Sequence, residues 1–202
     1  MKEKIKKSGG LSKEDAALIR AFQAGNRTAF DQLVVKHKDR LFNLCFWVLG
    51  DYHEANDTAQ ETFIKVFRSL KGFRFESAFS TWLYRIAVNT CKNRLKSLEY
   101  RKRKKMVRLE NPGPSGEINP SLEIQDETQS PLSRLESKEK LMLISEAMNS
   151  LPSEQKTVMT LRDIEGLSYE EIARITGFNL GTVKSRLSRA RLDLRRKLRS
   201  VI

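Results

Sequence analysis

The sequence predicts an all-α fold in which two small helical domains are joined by a flexible acidic linker, the C-terminal domain containing a helix-turn-helix. Apolar residues recur at helical spacing along most of the chain, and no stretch has the alternating pattern of a strand. The segment 109–133 holds four of the five prolines, is acidic and contains no lysine or arginine. We therefore expect an N-terminal domain at 12–108, a linker at 109–133 and a C-terminal domain at 134–202.

Four helices are predicted in the N-terminal domain, at about 12–24, 26–49, 54–70 and from 77 or 80 to beyond 95. Ser12, Asn26 and either Ser77 or Ser80 are expected to cap the first, second and fourth. Gly50 is expected to end the second, since glycine commonly stops helices.

In the C-terminal domain, helices are expected to resume near residue 132. The first carries an apolar stripe formed by Leu141, Ile144, Met148 and Leu151. Ser153, directly after Pro152, is expected to cap the next, which runs to about Ile164.

The stretch 167–199 has the features of a helix-turn-helix. Ser168 and Glu171 form a capping box, Gly177 suits the left-handed turn that ends the helix, and Asn179 can cap the next one. The last helix buries one face, formed by Val183, Leu187, Ala190, Leu194 and Leu198. Its outward face is polar and cationic, as in helices that read the major groove. A solvated basic face on a structural helix is the alternative.

Two further patterns in the N-terminal domain suggest surfaces. Asp57, Gln60 and Glu61 are expected on one exposed side of the third helix, where they suit protein docking, although an ordinary solvated face explains the spacing as well. From 73 to 89, aromatic residues alternate with cationic and polar ones. One face there carries Trp82, Arg85, Asn89 and Lys92. Such groups suit the capture of unstacked bases, although spacing alone favours core positions for most of the aromatics.

Lysine and arginine number 38 against 25 acidic residues, a net charge of +13 that favours a polyanionic partner, either nucleic acid or an anionic membrane. No apolar run is long enough to span a bilayer and no signal peptide is recognisable, so we expect a cytoplasmic protein. Cys45 and Cys91 suit buried free thiols, with a regulatory disulfide as the alternative. With His37 and His53 they complete no metal-ligand spacing, so neither metal nor cofactor is expected.

Four motifs, in this order along the chain, resemble bacterial sigma factors of the extracytoplasmic-function group. They are Asp57-Thr-Ala-Gln-Glu-Thr-Phe63, Phe79-Ser-Thr-Trp-Leu-Tyr-Arg-Ile-Ala-Val-Asn89, Leu151-Pro152 and Gly181-Thr-Val-Lys-Ser-Arg-Leu-Ser-Arg-Ala-Arg191. The resemblance runs from about Asp15 to Leu198. It implies an initiation factor without catalysis of its own, which binds core RNA polymerase, directs promoter-specific transcription and is controlled by an anti-sigma factor.

The resemblance also implies roles for individual residues. Those that bind polymerase would be Asp57, Gln60, Glu61, Thr62 and Phe63. Those that capture a flipped base of the melted −10 strand would be Phe73, Arg74, Phe75, Ser77, Ala78, Trp82, Arg85 and Asn89. Those that read the duplex −35 element would be Thr182, Lys184, Ser185, Arg186, Ser188 and Arg189. Relatives often have glycine where this chain has Phe75, a departure that bears on which base is accepted.

Two other functions remain possible from the residues. A helix-turn-helix regulator that binds DNA as a dimer would need a sensor or receiver domain, and the sequence has no α/β pattern. A nuclease would need clustered carboxylates or metal ligands, for which Asp57 with Glu61 is the one candidate pair.

Overall fold

The computed structural model describes residues 12–107, here called the N-module, and residues 141–199, the C-module. Within these ranges all regular structure is helical, which confirms the all-α class. The N-module contains α1 (Lys13–Gln23), α2 (Thr28–Leu49), α3 (Tyr52–Ser69) and α4 (Phe79–Val107). The C-module contains α5 (141–149), α6 (Ser153–Met159), α7 (Tyr169–Thr176) and α8 (Leu180–Arg199). The predicted linker at 109–133 and the predicted helix start near 132 lie outside the described residues.

Polar caps set the helix starts of the N-module. The Ser12 hydroxyl accepts from the Asp15 amide at 3.5 Å, as predicted. The prediction for α2 was wrong in its position: Arg27 occupies the N-cap without a side-chain hydrogen bond, and Asn26, one residue earlier, accepts from the Thr28 amide at 3.1 Å. The third helix begins earlier than predicted because the carboxylate of Asp51 caps it. Of the two serines predicted to start α4, Ser77 lies two residues before the first helical residue, Phe79, and Ser80 lies inside the helix.

The core of the N-module lies where α2, α3 and α4 pack together, with α1 against α2. Leu41, Leu44 and Leu83 are wholly buried there. Cys45 and Cys91 are buried free thiols, which confirms the first of the two interpretations of the cysteines. The hydrogen bond with Cys91 and burial raise the pKa of the Cys45 thiol well above its usual range.

Two predictions for the start of the C-module were wrong. Ile144 is exposed, while Ser145 and Ala147 are buried, so the buried face of α5 is rotated from the apolar stripe. Ser153 does not cap α6. Pro152 occupies the N-cap position with extended backbone, and it has no side-chain acceptor to offer. The helix does continue to Ile164, with its last five residues wound as a π-helix.

The helix-turn-helix forms as predicted. The Ser168 hydroxyl accepts from the Glu171 amide at 3.2 Å, and the Glu171 carboxylate accepts from the Ser168 amide at 2.8 Å, which completes the capping box. Gly177 ends α7 with φ of 76°, a conformation that glycine adopts without strain. The side chain of Asn179 accepts from the Thr182 amide at 2.7 Å and caps α8.

Ser168→Ala is expected to lower the free energy of unfolding of the C-module by about 1 kcal/mol, because the capping acceptor for the Glu171 amide is lost. Chemical denaturation of the full chain measures the loss. Ser185→Ala is the matched control, since that hydroxyl donates to the Thr182 carbonyl in an exposed helix turn. Equal effects of the two variants would contradict the assigned cap.

Candidate polymerase and nucleic-acid interface

The start of α8 presents an exposed polar and cationic surface. Its inward side is closed by Val183, Leu187 and Ala190, each at most 2% exposed. Four of the six residues predicted to read duplex DNA are exposed together on the other side: Lys184, Ser185, Ser188 and Arg189. An arginine or lysine here can pair with the acceptor atoms of guanine in the major groove, while hydroxyls bond to bases or phosphates.

The other two predicted readers are turned partly inward. Thr182 is half-buried and accepts the Ser185 hydroxyl at its carbonyl at 3.1 Å. The guanidinium of Arg186 lies 3.8 Å from the centre of the Phe178 ring and forms an ion pair with Glu154 of α6. In this arrangement Arg186 holds the turn and α6 together and is less available to DNA than its sequence position suggests.

The outward side of α3 carries the predicted docking patch. Asp57, Gln60 and Glu61 are all exposed, as predicted. Asp57 accepts from Arg94 at 3.3 Å, and Glu61 pairs with Lys65 at 2.7 Å, so both carboxylates are partly neutralised by their own chain. Each therefore sits beside a cation, which does not suit a catalytic metal site.

The remaining two predicted docking residues lie inside. Thr62 is wholly buried, and its hydroxyl donates to the Thr58 carbonyl at 2.7 Å, because the helix directs position 62 toward the core. Phe63 is half-buried against the core. Ile64 was not predicted to belong to this patch; it is 52% exposed, follows Gln60 by one helical turn and extends the patch with an apolar contact surface. Its position four residues after Gln60 could have indicated that it lies on the same side of the helix.

The loop predicted to capture a base is held in place by a buried aromatic ring and by a hydrogen bond from α1. Phe73 is buried, and its ring centre lies 5.1 Å from those of Phe75 and Trp82. The side-chain amide of Gln23 donates to the Phe73 carbonyl at 3.0 Å and holds the loop against α1. Phe73 is therefore a core residue, in agreement with the alternative that most of these aromatic rings belong to the core. Trp82 is only half-buried.

The polar residues predicted to capture the −10 strand lie partly at the surface of the loop and of α4. Arg74, Arg85 and Asn89 are exposed, whereas Ser77 and Ala78 are half-buried. The structure thus brings a cationic and amide surface next to a partly accessible indole ring. Such a surface is suited to an unstacked base, since the ring offers a stacking face and the cations attract phosphate.

Phe75 has an unusual backbone conformation. Its φ is 57°, in the left-handed region, and within the described ranges no other non-glycine residue has positive φ. This explains in physical terms why glycine suits the position, since a side chain there costs about 1–2 kcal/mol. The Arg20 guanidinium lies 5.4 Å from the ring centre, a cation–π contact that offsets part of the cost. The sequence gives no sign of this conformation.

Two negative findings concern the described ranges alone. No group of three His, Cys, Asp or Glu side chains is placed there to hold a metal ion. Every helix in residues 12–107 and 141–199 is too short or too polar to cross a bilayer.

Comparisons with known proteins match both modules. The family profile of sigma-70 region 2 matches residues 33–101, and that of sigma-70 region 4 matches residues 141–194. The RNA polymerase sigma-H factor of Pseudomonas aeruginosa is 37% identical over 196 residues, which span 94% of this chain and 96% of that protein. The ECF RNA polymerase sigma-E factor of Haemophilus influenzae is 38% identical over 191 residues, 93% of this chain and 97% of that protein.

Solved structures agree in fold. The sigma factor RpoE from Bartonella quintana, in complex with the anti-sigma factor NepR, superposes with a TM-score of 0.57 at 27% identity, covering 84% of this chain and 96% of its own. CnrH, in complex with the cytosolic domain of CnrY, has a TM-score of 0.61 at 23% identity, covering 93% of this chain and 98% of its own.

Proposed function

The chain belongs to the sigma-70 family of RNA polymerase sigma factors, in its extracytoplasmic-function group, and from that premise we propose how its two modules divide promoter recognition. It binds core RNA polymerase and directs promoter-specific initiation. We assign polymerase docking and the −10 element to a domain at 12–108, and the −35 element to a domain at 134–202, with 109–133 as the linker. We assign no catalysis to the chain itself and place its action in the cytoplasm, where the polymerase works.

The C-module reads the duplex −35 element through the start of α8. The observation that carries this assignment is the exposed set Lys184, Ser185, Ser188 and Arg189, which lies opposite a fully buried face on the second helix of a complete helix-turn-helix. Recognition helices contact base edges with residues near their N-termini, which is where these four lie. Thr182 and Arg186 support the helix from its half-buried flank.

The N-module docks on polymerase through the exposed side of α3, formed by Asp57, Gln60 and Glu61 and extended by Ile64. Thr62 and Phe63 act from within by fixing the helix against the core. An acidic surface on a chain with a net charge of +13 repels DNA and therefore separates the protein contact from the DNA contacts.

The same module captures the melted −10 strand. Arg74, Phe75, Ser77 and Ala78 of the loop, with Trp82, Arg85 and Asn89 of α4, form the surface, and Phe73 supports it from the core. Stacking of a base on an aromatic ring contributes about 1–3 kcal/mol, comparable to the cost of unpairing it. Because Phe75 occupies a backbone conformation that suits glycine, its ring is expected to shape which base enters.

An anti-sigma factor is the further partner we propose. One solved structure of similar fold is the sigma factor RpoE from Bartonella quintana bound to the anti-sigma factor NepR. Co-purification of the chain from native cells tests for this partner. Repeated recovery of polymerase alone would contradict this partner.

Arg189→Ala is expected to weaken discrimination between the preferred −35 sequence and its single-base variants by about 1–3 kcal/mol, because one guanidinium pairs with the two acceptors of a guanine. Transcription by core polymerase on a library of −35 variants measures the change. Arg196→Ala is the matched control, since Arg196 is exposed near the other end of α8 and is expected to lose affinity evenly across sequences. An even loss with Arg189→Ala would contradict base reading.

A further inference from the structure

Two side chains of α1 contact the segment 70–78, which joins α3 to α4 and includes the loop that captures the −10 strand. Arg20 and Gln23 lie on the same side of α1, because they are three residues apart on a helix. Gln23 contacts the backbone of the segment, and Arg20 contacts the ring of Phe75. Both residues precede the range 33–101 that matches the region 2 profile, and neither is among the residues expected to touch DNA.

The side-chain amide of Gln23 lies where backbone carbonyls converge. Its nitrogen is 3.3 Å from the oxygens of Leu70 and Lys71, and 3.0 Å from that of Phe73. Leu70 and Lys71 belong to a short 3-10 turn that follows α3, and carbonyls at the end of a helix have few partners within it. An amide NH2 group can donate to such carbonyls without introducing a charge. Gln23 therefore fixes the path of the backbone between α3 and the capture loop.

Arg20 contacts the residue of the loop whose backbone is strained. Its guanidinium lies 5.4 Å from the ring centre of Phe75, whose φ is 57°. The Phe75 ring also packs on Phe73, with 5.1 Å between the ring centres, and Phe73 lies 5.1 Å from Trp82 in turn. Arg20 is thus joined to the partly accessible indole of Trp82 through a row of aromatic rings.

We propose that Arg20 and Gln23 are positioning residues of the −10 capture surface, and that they set which base this surface prefers. Gln23 holds the backbone of the loop, and Arg20 holds the Phe75 ring beside the place where an unstacked base would lie. A ring that is held before DNA arrives loses less freedom on binding, and it excludes a base of the wrong shape. The proposal rests on the proposed function, because it assumes that this loop captures the melted strand.

The test measures base preference rather than overall activity. Core polymerase with each variant transcribes a library of one promoter that the wild type uses, randomised in its −10 element. The preference is the ratio of transcripts carrying the best base at a position to those carrying the other bases. A variant that only folds less well lowers all transcripts evenly and leaves this ratio unchanged.

Gln23→Glu is expected to lower the preference about tenfold, because a carboxylate of the same shape has no hydrogen to donate and is repelled by the carbonyls. Gln32→Glu is the matched control. Gln32 is exposed on α2, and its replacement makes the same change of charge away from the loop. We expect this control to leave the ratio within about twofold of the wild type.

Arg20→Ala is expected to lower the preference about threefold, because the cation–π contact with Phe75 is lost. Lys38→Ala is its control, since Lys38 is exposed on α2 and carries the same charge. The same Arg20 substitution is also made in a Phe75→Gly chain, where no ring remains to be held. If Arg20 acts through Phe75, it has no further effect on the ratio in that chain.

The outcomes separate positioning from the capture function itself. Selective loss with Arg20→Ala and Gln23→Glu but not with the controls, together with no effect of Arg20→Ala in the Phe75→Gly chain, supports the proposal. A preference that both variants retain overturns it. An effect of Arg20→Ala that persists without the Phe75 ring also overturns it, because Arg20 would then contact the DNA directly. A wild type without any base preference in the −10 element overturns the proposed strand capture as well.

Discussion

Glu61→Lys is expected to weaken binding of the chain to core RNA polymerase about 100-fold. Glu61 is exposed at the centre of the α3 patch between Asp57 and Ile64, and reversal of its charge places a cation where a cationic partner surface is expected. Like charges brought together in an interface cost several kcal/mol, and about 3 kcal/mol corresponds to the stated change. Titration of the fluorescently labelled chain with core polymerase, at fixed ionic strength, measures the affinity.

Asp39→Lys is the control for this prediction. Asp39 is an exposed acidic residue on α2, outside the patch, and its reversal changes the net charge by the same amount. We expect it to leave the affinity within about threefold of the wild type, as for surface changes remote from an interface. An equal loss in the two variants would indicate a general charge effect, and an unchanged affinity of Glu61→Lys would refute docking through α3.

Lys156→Met is expected to raise the free energy of unfolding by about 2 kcal/mol at pH 7. Lys156 is 5% exposed, and burial lowers its pKa from 10.5 to about 8. Below about pH 8 the chain therefore holds a charged ammonium in a site that disfavours charge, in part compensated by the hydrogen bond to Asn149. Methionine fills a similar volume without that cost.

The pH dependence gives this prediction its sign. Between about pH 8 and 10.5 the unfolded chain keeps a proton on Lys156 that the folded chain has lost, so the wild type gains stability as pH rises through this window. The advantage of Lys156→Met should shrink over the same range. Cys91 lies nearby and raises the pKa of Lys156, but burial lowers that pKa by more, so the direction of the expected change is kept.

Denaturant unfolding of both proteins from pH 7 to 10.5 measures this difference. Lys92→Met is the matched control: Lys92 is exposed on α4, and its replacement is expected to change stability by less than about 0.5 kcal/mol at every pH. An advantage of Lys156→Met that stayed constant with pH would show that packing, rather than charge burial, is responsible.

Local sequence patterns predicted the helices and the helix-turn-helix well, because their causes are local. The capping box of Ser168 and Glu171, the left-handed Gly177 and the cap by Asn179 each depend on residues within four positions. Periodicity then placed the exposed side of α8. The errors arose where a competing local group was available, as with Asp51, which starts α3 before the predicted residue.

Features that depend on distant contacts could not be predicted. Helical spacing states which residues share a face but not which face a partner covers, so the exposure of Ile144 was missed. The positive φ of Phe75 is stabilised by Arg20, 55 residues earlier in the chain, and leaves no local pattern. The contact of Gly50 with Asn149 likewise joins residues on opposite sides of the linker.

The alternative of a dimeric helix-turn-helix regulator is not favoured. Sigma-70 region 2 and region 4 profiles match the two modules, and RNA polymerase sigma factors align with more than nine-tenths of the chain. A dimeric regulator would need only the C-module for DNA contact, and the region 2 match of residues 33–101 would then be unexplained.

The contacts of Arg186 with its own chain bear on how many base pairs α8 is expected to recognise. With that guanidinium stacked on Phe178 and paired with Glu154, the start of the reading helix offers Arg189 and Lys184 as its cations. Each base pair that is read adds information, so fewer free donors mean a shorter consensus. We expect the −35 elements of its target promoters to share a short guanine-containing sequence and to vary at the neighbouring positions. Most of the discrimination among promoters would then come from the −10 strand.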